Sequence, residues 1–197
     1  VLVGIATPSA QALAATTRHI PIVFTAVTDP VEAKLVKSLD NPSGNITGLS
    51  DMSPIAQHIE LAQELLPNLK TIGVVYNPGE ANSVALMTAL KKEASAHNIK
   101  IIESTALKSA DVQSATQAIV AKSDIIYAMI DNTVASAIDG MISAANQAKK
   151  PVLAASTTYV DRGALIGLGA DYYQIGIQTA DYVAAILEGK KPSELPV

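Results

Sequence analysis

The sequence contains no cysteine and no tryptophan, and it has a single phenylalanine among 197 residues. The absence of cysteine excludes disulfide bonds, thiolate catalysis and cysteine-based metal sites. Aromatic residues form 4% of the chain and apolar residues 49%, so aliphatic side chains must build the core. This composition favours helices packed on a parallel sheet, because the strands of such a sheet are buried on both faces.

The chain also lacks a basic run, a membrane-spanning apolar stretch and a recognisable signal peptide. Its 14 basic and 18 acidic residues give a formal net charge of −4, so we expect no nucleic-acid partner. No segment approaches the roughly 20 apolar residues that cross a bilayer, so we expect no direct membrane span. These features fit a mature secreted protein or a fragment of a longer one.

Strand-like and helix-like segments alternate along the whole chain. Strands are predicted at 1–6, 21–27, 46–49, 71–76, 100–103, 125–130, 151–155 and 164–169. Helices are predicted at 7–19, 29–39, 54–66, 82–97, 109–122, 132–149 and 172–188, and a turn at 41–45. Roughly one strand–helix unit every 25 to 30 residues is typical of a doubly wound parallel sheet with right-handed crossovers. We therefore predict an α/β fold.

Small polar or acidic residues follow almost every predicted strand. Ligands of open α/β sheets bind beyond the carboxyl ends of the strands, and helices that start there present free N–H groups to anions. The candidate ligand-binding residues are Thr7, Ser9, Thr28, Asp29, Ser50, Asp51, Tyr76, Asn82, Ser83, Asp131, Asn132, Ser156 and Asp171.

Each candidate has a structural alternative, because the same residue types are ordinary helix N-caps that contribute about 1 kcal/mol. Ser109 and Asp111 are predicted to be caps and nothing more. Asn82 or Ser83 is predicted to cap the helix at 82–97. Residues predicted to cap and bind at once are Thr7, Asp29, Asp131 and Asn132.

No enzyme signature is present. The chain has no phosphate-binding loop, no glycine-rich dinucleotide motif and no nucleophile elbow. His19, His58 and His97 are far apart and none follows a strand, so they are predicted to lie at the surface or at helix ends and to bind no metal. Paired carboxylates without a nucleophile, metal or cofactor favour binding over acid–base catalysis. We expect no cofactor.

Four segments together carry a family resemblance. They are IPIVFTAVTDPV at 20–31, NPSGNITGLSD at 41–51, VYNPGEANS at 75–83 and GKKPSELPV at 189–197. In this order they resemble one group of ABC-transporter substrate-binding proteins. The resemblance implies a type I periplasmic-binding-protein-like fold, with two α/β lobes closing on a ligand in the cleft. It also implies an aromatic amino acid ligand: tryptophan, phenylalanine or tyrosine.

The resemblance further implies how the chain is divided. Lobe one comprises 1–52 and 172–197, and lobe two comprises 53–171. Lobe one is expected to be incomplete, lacking two preceding βα units and a last strand, and to expose apolar sheet surface. The expected partner is an ABC permease that reads the closed form. The expected location is periplasmic or cell-surface, with a signal or lipoprotein segment and a possible lipid anchor on a preceding N-terminal segment.

For an amino acid ligand, Asp131 or Asp29 is expected to hold the α-ammonium, because charge-assisted hydrogen bonds are strong. Asn82 and Ser83, at a helix N-terminus, are expected to hold the α-carboxylate. Two alternatives remain open. One is the sensor domain of a LacI-type regulator, although no helix-turn-helix is present. The other is a small α/β enzyme, such as an isomerase or racemase, that uses carboxylates.

Overall fold

A computed structural model describes residues 1–42 and 44–197. The chain divides into two compact units, of which unit 1 is Val1–Met52 with Ala170–Val197 and unit 2 is Ser53–Gly169. The chain thus leaves unit 1 after Met52 and returns to it at Ala170. The sequence analysis placed this return two residues later, at 172.

Strands and helices alternate in both units. The strands are β1 (Leu2–Ile5), β2 (Ile22–Val27), β3 (Ile46–Ser50), β4 (Thr71–Tyr76), β5 (Lys100–Thr105), β6 (Ile125–Ala128), β7 (Val152–Ala154) and β8 (Ile166–Gly167). The helices are α1 (Thr7–Thr16), α2 (Ile55–Leu65), α3 (Ala81–Ala96), α4 (Val112–Val120), α5 (Asn132–Ala135), α6 (Ile138–Gln147) and α7 (Tyr172–Leu187). Short 3₁₀ turns occupy Ser109–Asp111, Thr157–Tyr159 and Pro192–Glu194.

Unit 1 contains a parallel sheet in the order β1-β2-β3. Helix α7 packs on β2 and β3, and Val23 forms a small core cluster with Ile186 and Leu195. The outer strand β1 exposes Val3 and Ile5, at 45% and 65%. Apolar sheet surface is therefore exposed at this edge of unit 1.

Unit 2 contains a five-stranded parallel sheet in the order β5-β4-β6-β7-β8. Side chains alternate between its two faces, as the two-residue period of a strand requires. Ile72 and Val74 pack in one core cluster with residues of α2 and α3, whereas Val75 packs in the other with residues of α4 and α6. Both faces are covered, so the predicted α/β class with parallel sheets is confirmed.

The strand order places a topological switch point at β4. After β4 the chain moves to β5 on one side of it and then to β6 on the other. Connections diverge at such a point, and the crevice that they leave beyond the carboxyl ends of the strands is the usual ligand site of an open α/β sheet. In unit 2 this is the edge where β4 and β6 end.

Two predicted helices differ from the structure. Residues 30–34 form only a turn, because the left-handed φ of 59° at Lys34 stops a helix from continuing to 39. The predicted helix at 132–149 is two helices, α5 and α6, since Ala137 departs from helical geometry with φ −135° and ψ 28°. Local composition favours a helix in both segments, and tertiary packing overrides it.

Predicted caps also differ. Ser109 and Asp111 lie in the 3₁₀ turn before α4, and neither side chain caps a helix. Helix α3 starts one residue before Asn82, with Glu80 as its N-cap residue, so Asn82 and Ser83 lie inside the first turn. In the predicted turn at 41–45, Ser43 lies outside the described residues.

We expect Gly48→Ala to lower the free energy of unfolding by about 1–3 kcal/mol through overpacking. A Cβ at Gly48 would lie 2.6 Å from the Phe24 ring and closer still to the Phe24 carbonyl oxygen, where β2 and β3 pair. Urea unfolding curves measure the loss. The matched control is Gly176→Ala in the exposed face of α7, where a Cβ meets nothing within 4 Å and should stabilise by about 0.5–1 kcal/mol. Equal effects at both positions would contradict the close approach of the strands.

Candidate functional site

Asp131 is the centre of a buried polar network at the carboxyl ends of β4 and β6. It is 1% exposed and accepts three hydrogen bonds. The backbone N–H of Asn77 and the hydroxyl of Ser83 donate to Oδ2, each at 2.7 Å, and the N–H of Val134 donates to Oδ1 at 2.8 Å. Burial raises the pKa of Asp131, while these donors oppose the rise. The carboxyl group thus joins β4, α3 and α5.

Glu80 holds the start of α5 from the other side. Its carboxylate accepts from the backbone N–H and side-chain amide of Asn132, at 3.0 and 2.6 Å, and from the N–H and hydroxyl of Thr133, at 3.0 and 2.8 Å. Burial opposes ionisation of Glu80, but these donors outweigh it and lower the pKa. Together Glu80 and Asp131 satisfy the first three N–H groups of α5, which are otherwise without an intrahelical partner.

Asn82 lies in the first turn of α3 and is 2% exposed. Its Nδ2 lies 3.3 Å from Glu80 Oε2, from Ser83 Oγ and from the carbonyl oxygen of Ile130. Its Oδ1 has no hydrogen-bond partner, alone among the buried side-chain nitrogen and oxygen atoms of the described residues. A buried acceptor without a donor is unfavourable, so this atom is of special interest.

Unit 1 has a smaller polar cluster at the carboxyl ends of β2 and β3. Asp51 is 6% exposed, and it accepts from the Thr28 hydroxyl at 3.1 Å and from the Tyr172 hydroxyl at 3.0 Å. Ser50 Oγ donates to the carbonyl oxygen of Thr28 at 2.8 Å. Burial raises the pKa of Asp51, and the two hydroxyl donors oppose the rise. The structure therefore brings three of the predicted residues together here.

The backbone at this edge of unit 1 is also strained. Ala6 and Ala26, near the carboxyl ends of β1 and β2, have positive φ values of 65° and 53°. Such conformations cost roughly 1–3 kcal/mol each for a residue with a Cβ, and they cluster at functional sites. Ala6 directly follows β1 and Ala26 belongs to the neighbouring parallel strand β2, and both lie at the edge of the sheet where the Asp51 cluster is found.

The helices that follow strands differ in whether their N-termini are already occupied. At α5 the carboxylates of Glu80 and Asp131 take the free N–H groups. At α7, Asp171 Oδ1 accepts from the N–H groups of residues 173 and 174. By contrast, no side chain caps α1 or α3. The first N–H groups of α5 and α7 are thus already bonded to carboxylates, whereas the first turns of α1 and α3 carry no side-chain cap.

The remaining predicted residues do not join either cluster. The Tyr76 hydroxyl turns towards β5 and donates to Glu103 at 3.3 Å, and Ser156 pairs with Thr158 at 2.8 Å. Asp29 Oδ1 accepts two backbone N–H groups of the turn that follows it. At the start of α1, Thr7 is buried and Ser9 is exposed.

His58 is a buried residue that the sequence analysis placed at the surface or at a helix end, which is wrong. It is 1% exposed, because it follows Ile55 by three residues and shares the buried face of α2. Its Nε2 lies 2.8 Å from the Leu168 carbonyl oxygen and its Nδ1 lies 2.7 Å from the Tyr127 hydroxyl. Since a carbonyl only accepts, Nε2 carries the proton and Nδ1 accepts from Tyr127. The three-residue spacing from Ile55 was the signal that could have placed His58 in the core.

In the described part of the chain, no group of three or more His, Asp or Glu side chains is arranged to hold a metal ion. No helix there is long and apolar enough to span a bilayer.

We expect Glu80→Gln to lower the free energy of unfolding by about 2 kcal/mol at neutral pH, because hydrogen bonds to a charged group contribute about 1.5–3 kcal/mol. The amide would also place a donor against the donors of Asn132 and Thr133. The control is Glu103→Gln, whose exposed ion pair with Lys91 should contribute less than about 1 kcal/mol. Urea unfolding measures both, and an equal, small loss would contradict the role of Glu80 at α5.

We expect His58 to make the protein less stable in mild acid. Burial lowers the pKa of His58, outweighing the Leu168 hydrogen bond, which raises it. The unfolded chain binds a proton near pH 6.5, whereas the folded chain binds it only at lower pH. The free energy of unfolding therefore has no contribution from His58 above about pH 6.5 and falls, by up to about 1.4 kcal/mol per pH unit, as the pH drops towards the folded pKa.

His58→Gln removes this titration, so its free energy of unfolding should fall less steeply than that of the wild type below about pH 6.5. Urea unfolding at half-unit pH steps measures both curves. Parallel curves would show that His58 is not held neutral in the folded protein.

The sequence of the chain matches a known protein family. A family model described as ABC transporter substrate binding protein matches residues 1–197. A curated tyrosine-binding protein of Clostridioides difficile (strain R20291) is 40% identical over 194 residues, which are 98% of this chain and 56% of that protein. The chain thus spans a little over half the length of this relative.

Solved structures show the same likeness. A conserved domain protein from Vibrio cholerae O1 biovar El Tor is 72% identical with a TM-score of 0.99, over 100% of this chain and 66% of that one. The ABC domain from Streptococcus pneumoniae in complex with L-Trp is 37% identical with a TM-score of 0.96, over 99% and 66%. A LacI family regulator from Mycobacterium smegmatis, 14% identical with a TM-score of 0.58, shares the fold alone. The fold is that of type I periplasmic binding proteins, as the sequence resemblance implied.

Proposed function

We propose, because the chain belongs to the ABC transporter substrate-binding protein family, that it is the ligand-binding part of the receptor of an ABC importer. Relatives that are 37% and 40% identical over nearly the whole chain support this proposal. Such a receptor binds a small solute and presents it to the permease, and its task is therefore binding and not turnover.

We propose an aromatic amino acid as the ligand. The observation that carries this choice is that one relative was solved with L-Trp bound and another is named for tyrosine binding. This chain spans 56% and 66% of the lengths of these two proteins. The ligand is accordingly proposed for the whole protein that carries this chain.

The polar edge of unit 2 supports an amino acid ligand. An α-carboxylate needs hydrogen-bond donors, and the first turn of α3 has no side-chain cap. The acidic groups next to it, Glu80 and Asp131, already accept hydrogen bonds from the protein. They place negative charge near this edge, which favours a ligand that also carries an ammonium group.

The polar edge of unit 1 is proposed as a second ligand-binding surface. Its cluster of Thr28, Ser50 and Asp51 lies beyond the carboxyl ends of β2 and β3, where ligands of open α/β sheets bind. The start of α1, at Thr7, is free of a side-chain cap on the same edge. Asp171 is proposed to act as the cap of α7 and not as a ligand contact.

We propose an extracytoplasmic location and an ABC permease as the partner, on the basis of family membership. A signal or lipoprotein segment, with a lipid anchor, belongs to the same proposal. The regulator alternative has less support, since the LacI family structure shares only the fold at 14% identity. The enzyme alternative has less support as well, because the Asp131 and Glu80 carboxylates are engaged by internal donors.

We expect the protein to bind L-tryptophan, L-tyrosine or L-phenylalanine in preference to the other amino acids, sugars and purines. At a concentration 100 times Kd, a ligand adds about 2.7 kcal/mol to the stability of the native state. This raises Tm by roughly 5 to 10 °C for a chain of this size. A thermal-shift screen followed by isothermal titration calorimetry measures the preference.

A rise in Tm with sugars or nucleosides alone would support the receptor proposal but contradict an aromatic amino acid as the ligand. Absence of any shift across the amino acids and sugars would contradict the receptor proposal itself. Conversion of a bound candidate into product would favour the enzyme alternative.

A further inference from the structure

Unit 2 has a cavity at the edge of its sheet that lies opposite the Asp131 network. The cavity has a volume of about 370 Å³ and is lined by residues 66–69, by residues 149–151 and by Asp124. These three segments come just before β4, β7 and β6, which are neighbouring parallel strands, so the cavity lies at the amino ends of the strands. It is therefore separate from the polar edges described above, and its size is that of a small-molecule site.

The lining of this cavity combines apolar side chains with two lysines. The loop after α2 contributes Leu66, Pro67 and Leu69, and the loop after α6 contributes Lys149 and Lys150. Neither lysine forms an ion pair with an acidic side chain of the described residues. An apolar wall next to unpaired ammonium groups suits a molecule that has an apolar part and an anionic group.

Asp124 is the one acidic residue that lines the cavity, and the protein's own donors hold it. Its Oδ2 accepts from the N–H of Lys70 at 2.9 Å and from the N–H and hydroxyl of Thr71 at 2.8 and 2.9 Å. The Lys70 N–H is the largest cause that lowers the pKa of Asp124, and the positive charge of Lys150 lowers it further. Asp124 thus partly balances Lys150, and Lys149 is the cation that remains for a ligand.

The backbone of Lys149 is in a conformation that lysine rarely adopts. The N–H of Lys149 donates to the carbonyl oxygen of Asn146 at 3.0 Å, and the N–H of Lys150 donates to that of Ala145 at 2.9 Å. This pair of bonds is the Schellman motif, which closes the C-terminus of α6 and requires a left-handed residue. Lys149 is that residue, with a φ of 54°, and its Cβ makes the conformation unfavourable.

Two other helices end in the same motif with residues that suit it. The left-handed residue is Gly189 after α7 and Asn98 after α3, and glycine and asparagine are the usual residues there. The helix dipole favours a lysine anywhere in the last turn, so it does not require one in the left-handed conformation. Strained residues cluster at functional sites. Lys149 therefore has a role beyond ending α6, and its place at the cavity provides that role.

We propose that this cavity is a second binding site, which takes a small organic anion composed of a phosphate or carboxylate on an apolar group. Lys149 and Lys150 bind the anionic group through charge-assisted hydrogen bonds. The apolar group packs on Leu66, Pro67 and Leu69. The site goes beyond the proposed function, because it lies at the opposite edge of the sheet and does not depend on an amino acid ligand.

Calorimetric titration with phenyl phosphate as the probe tests the site. The wild type should bind it, and more weakly as the ionic strength rises, because salt screens exposed charges. Lys149→Gly should weaken binding about tenfold, since it removes a charged donor. The same variant should raise Tm by on the order of 2 °C, because glycine relieves the left-handed strain. Weaker binding by a more stable protein has no explanation in misfolding.

Two variants serve as matched controls. Asn98→Gly changes the left-handed residue after α3, and Lys190→Gln removes a lysine that follows the same motif after α7. Both should leave the affinity for phenyl phosphate unchanged. Inorganic phosphate, which lacks the apolar group, should bind the wild type at least several-fold more weakly than phenyl phosphate, because it buries no apolar surface.

The position of the probe is checked by amide chemical shifts in NMR spectra of the wild type. Shifts at residues 66–69 and 149–151, together with the loss of affinity in Lys149→Gly, would support the site. Absence of binding at millimolar phenyl phosphate would overturn it. So would equal affinities of the wild type and Lys149→Gly, or shifts confined to the carboxyl ends of the strands.

Discussion

The polar edge of unit 2 depends on one constraint, which is that the first N–H groups of α5 have no acceptor within the helix. These donors are half-buried or buried beside the ends of β4 and β6, and leaving them unsatisfied would be costly. Glu80 and Asp131 satisfy them from two sides. Asp131 also receives the N–H of Asn77 and the hydroxyl of Ser83, so one carboxyl group sets the relative positions of β4, α3 and α5.

This arrangement engages both carboxyl groups with donors of the protein itself. Because their oxygens already accept hydrogen bonds within the protein, the carboxyl groups act at this edge mainly through their negative electrostatic field. At the same edge the first turn of α3 carries no side-chain cap, and Asn82 Oδ1 is buried without a hydrogen-bond partner.

Much of the fold followed from the sequence, because buried strands and their alternation with helices depend on local composition. The run Ile125–Ala128 is apolar throughout and is fully buried in the structure. The failed helix after Asp29 shows the limit of this reasoning, since the left-handed conformation of Lys34 has no signal in its residue type. The break at Ala137 between α5 and α6 likewise has no signal in the residue type, although its φ is negative.

The sequence by itself determined the α/β class, the family and the rule that polar residues gather at strand ends. Tertiary structure alone decided which of those residues face each other. Asp131 and Glu80 are 51 positions apart, and their joint hold on α5 arises only when β4 and β6 become neighbours. The free Oδ1 of Asn82 is likewise invisible in the sequence, because an atom lacks a partner only relative to everything packed around it.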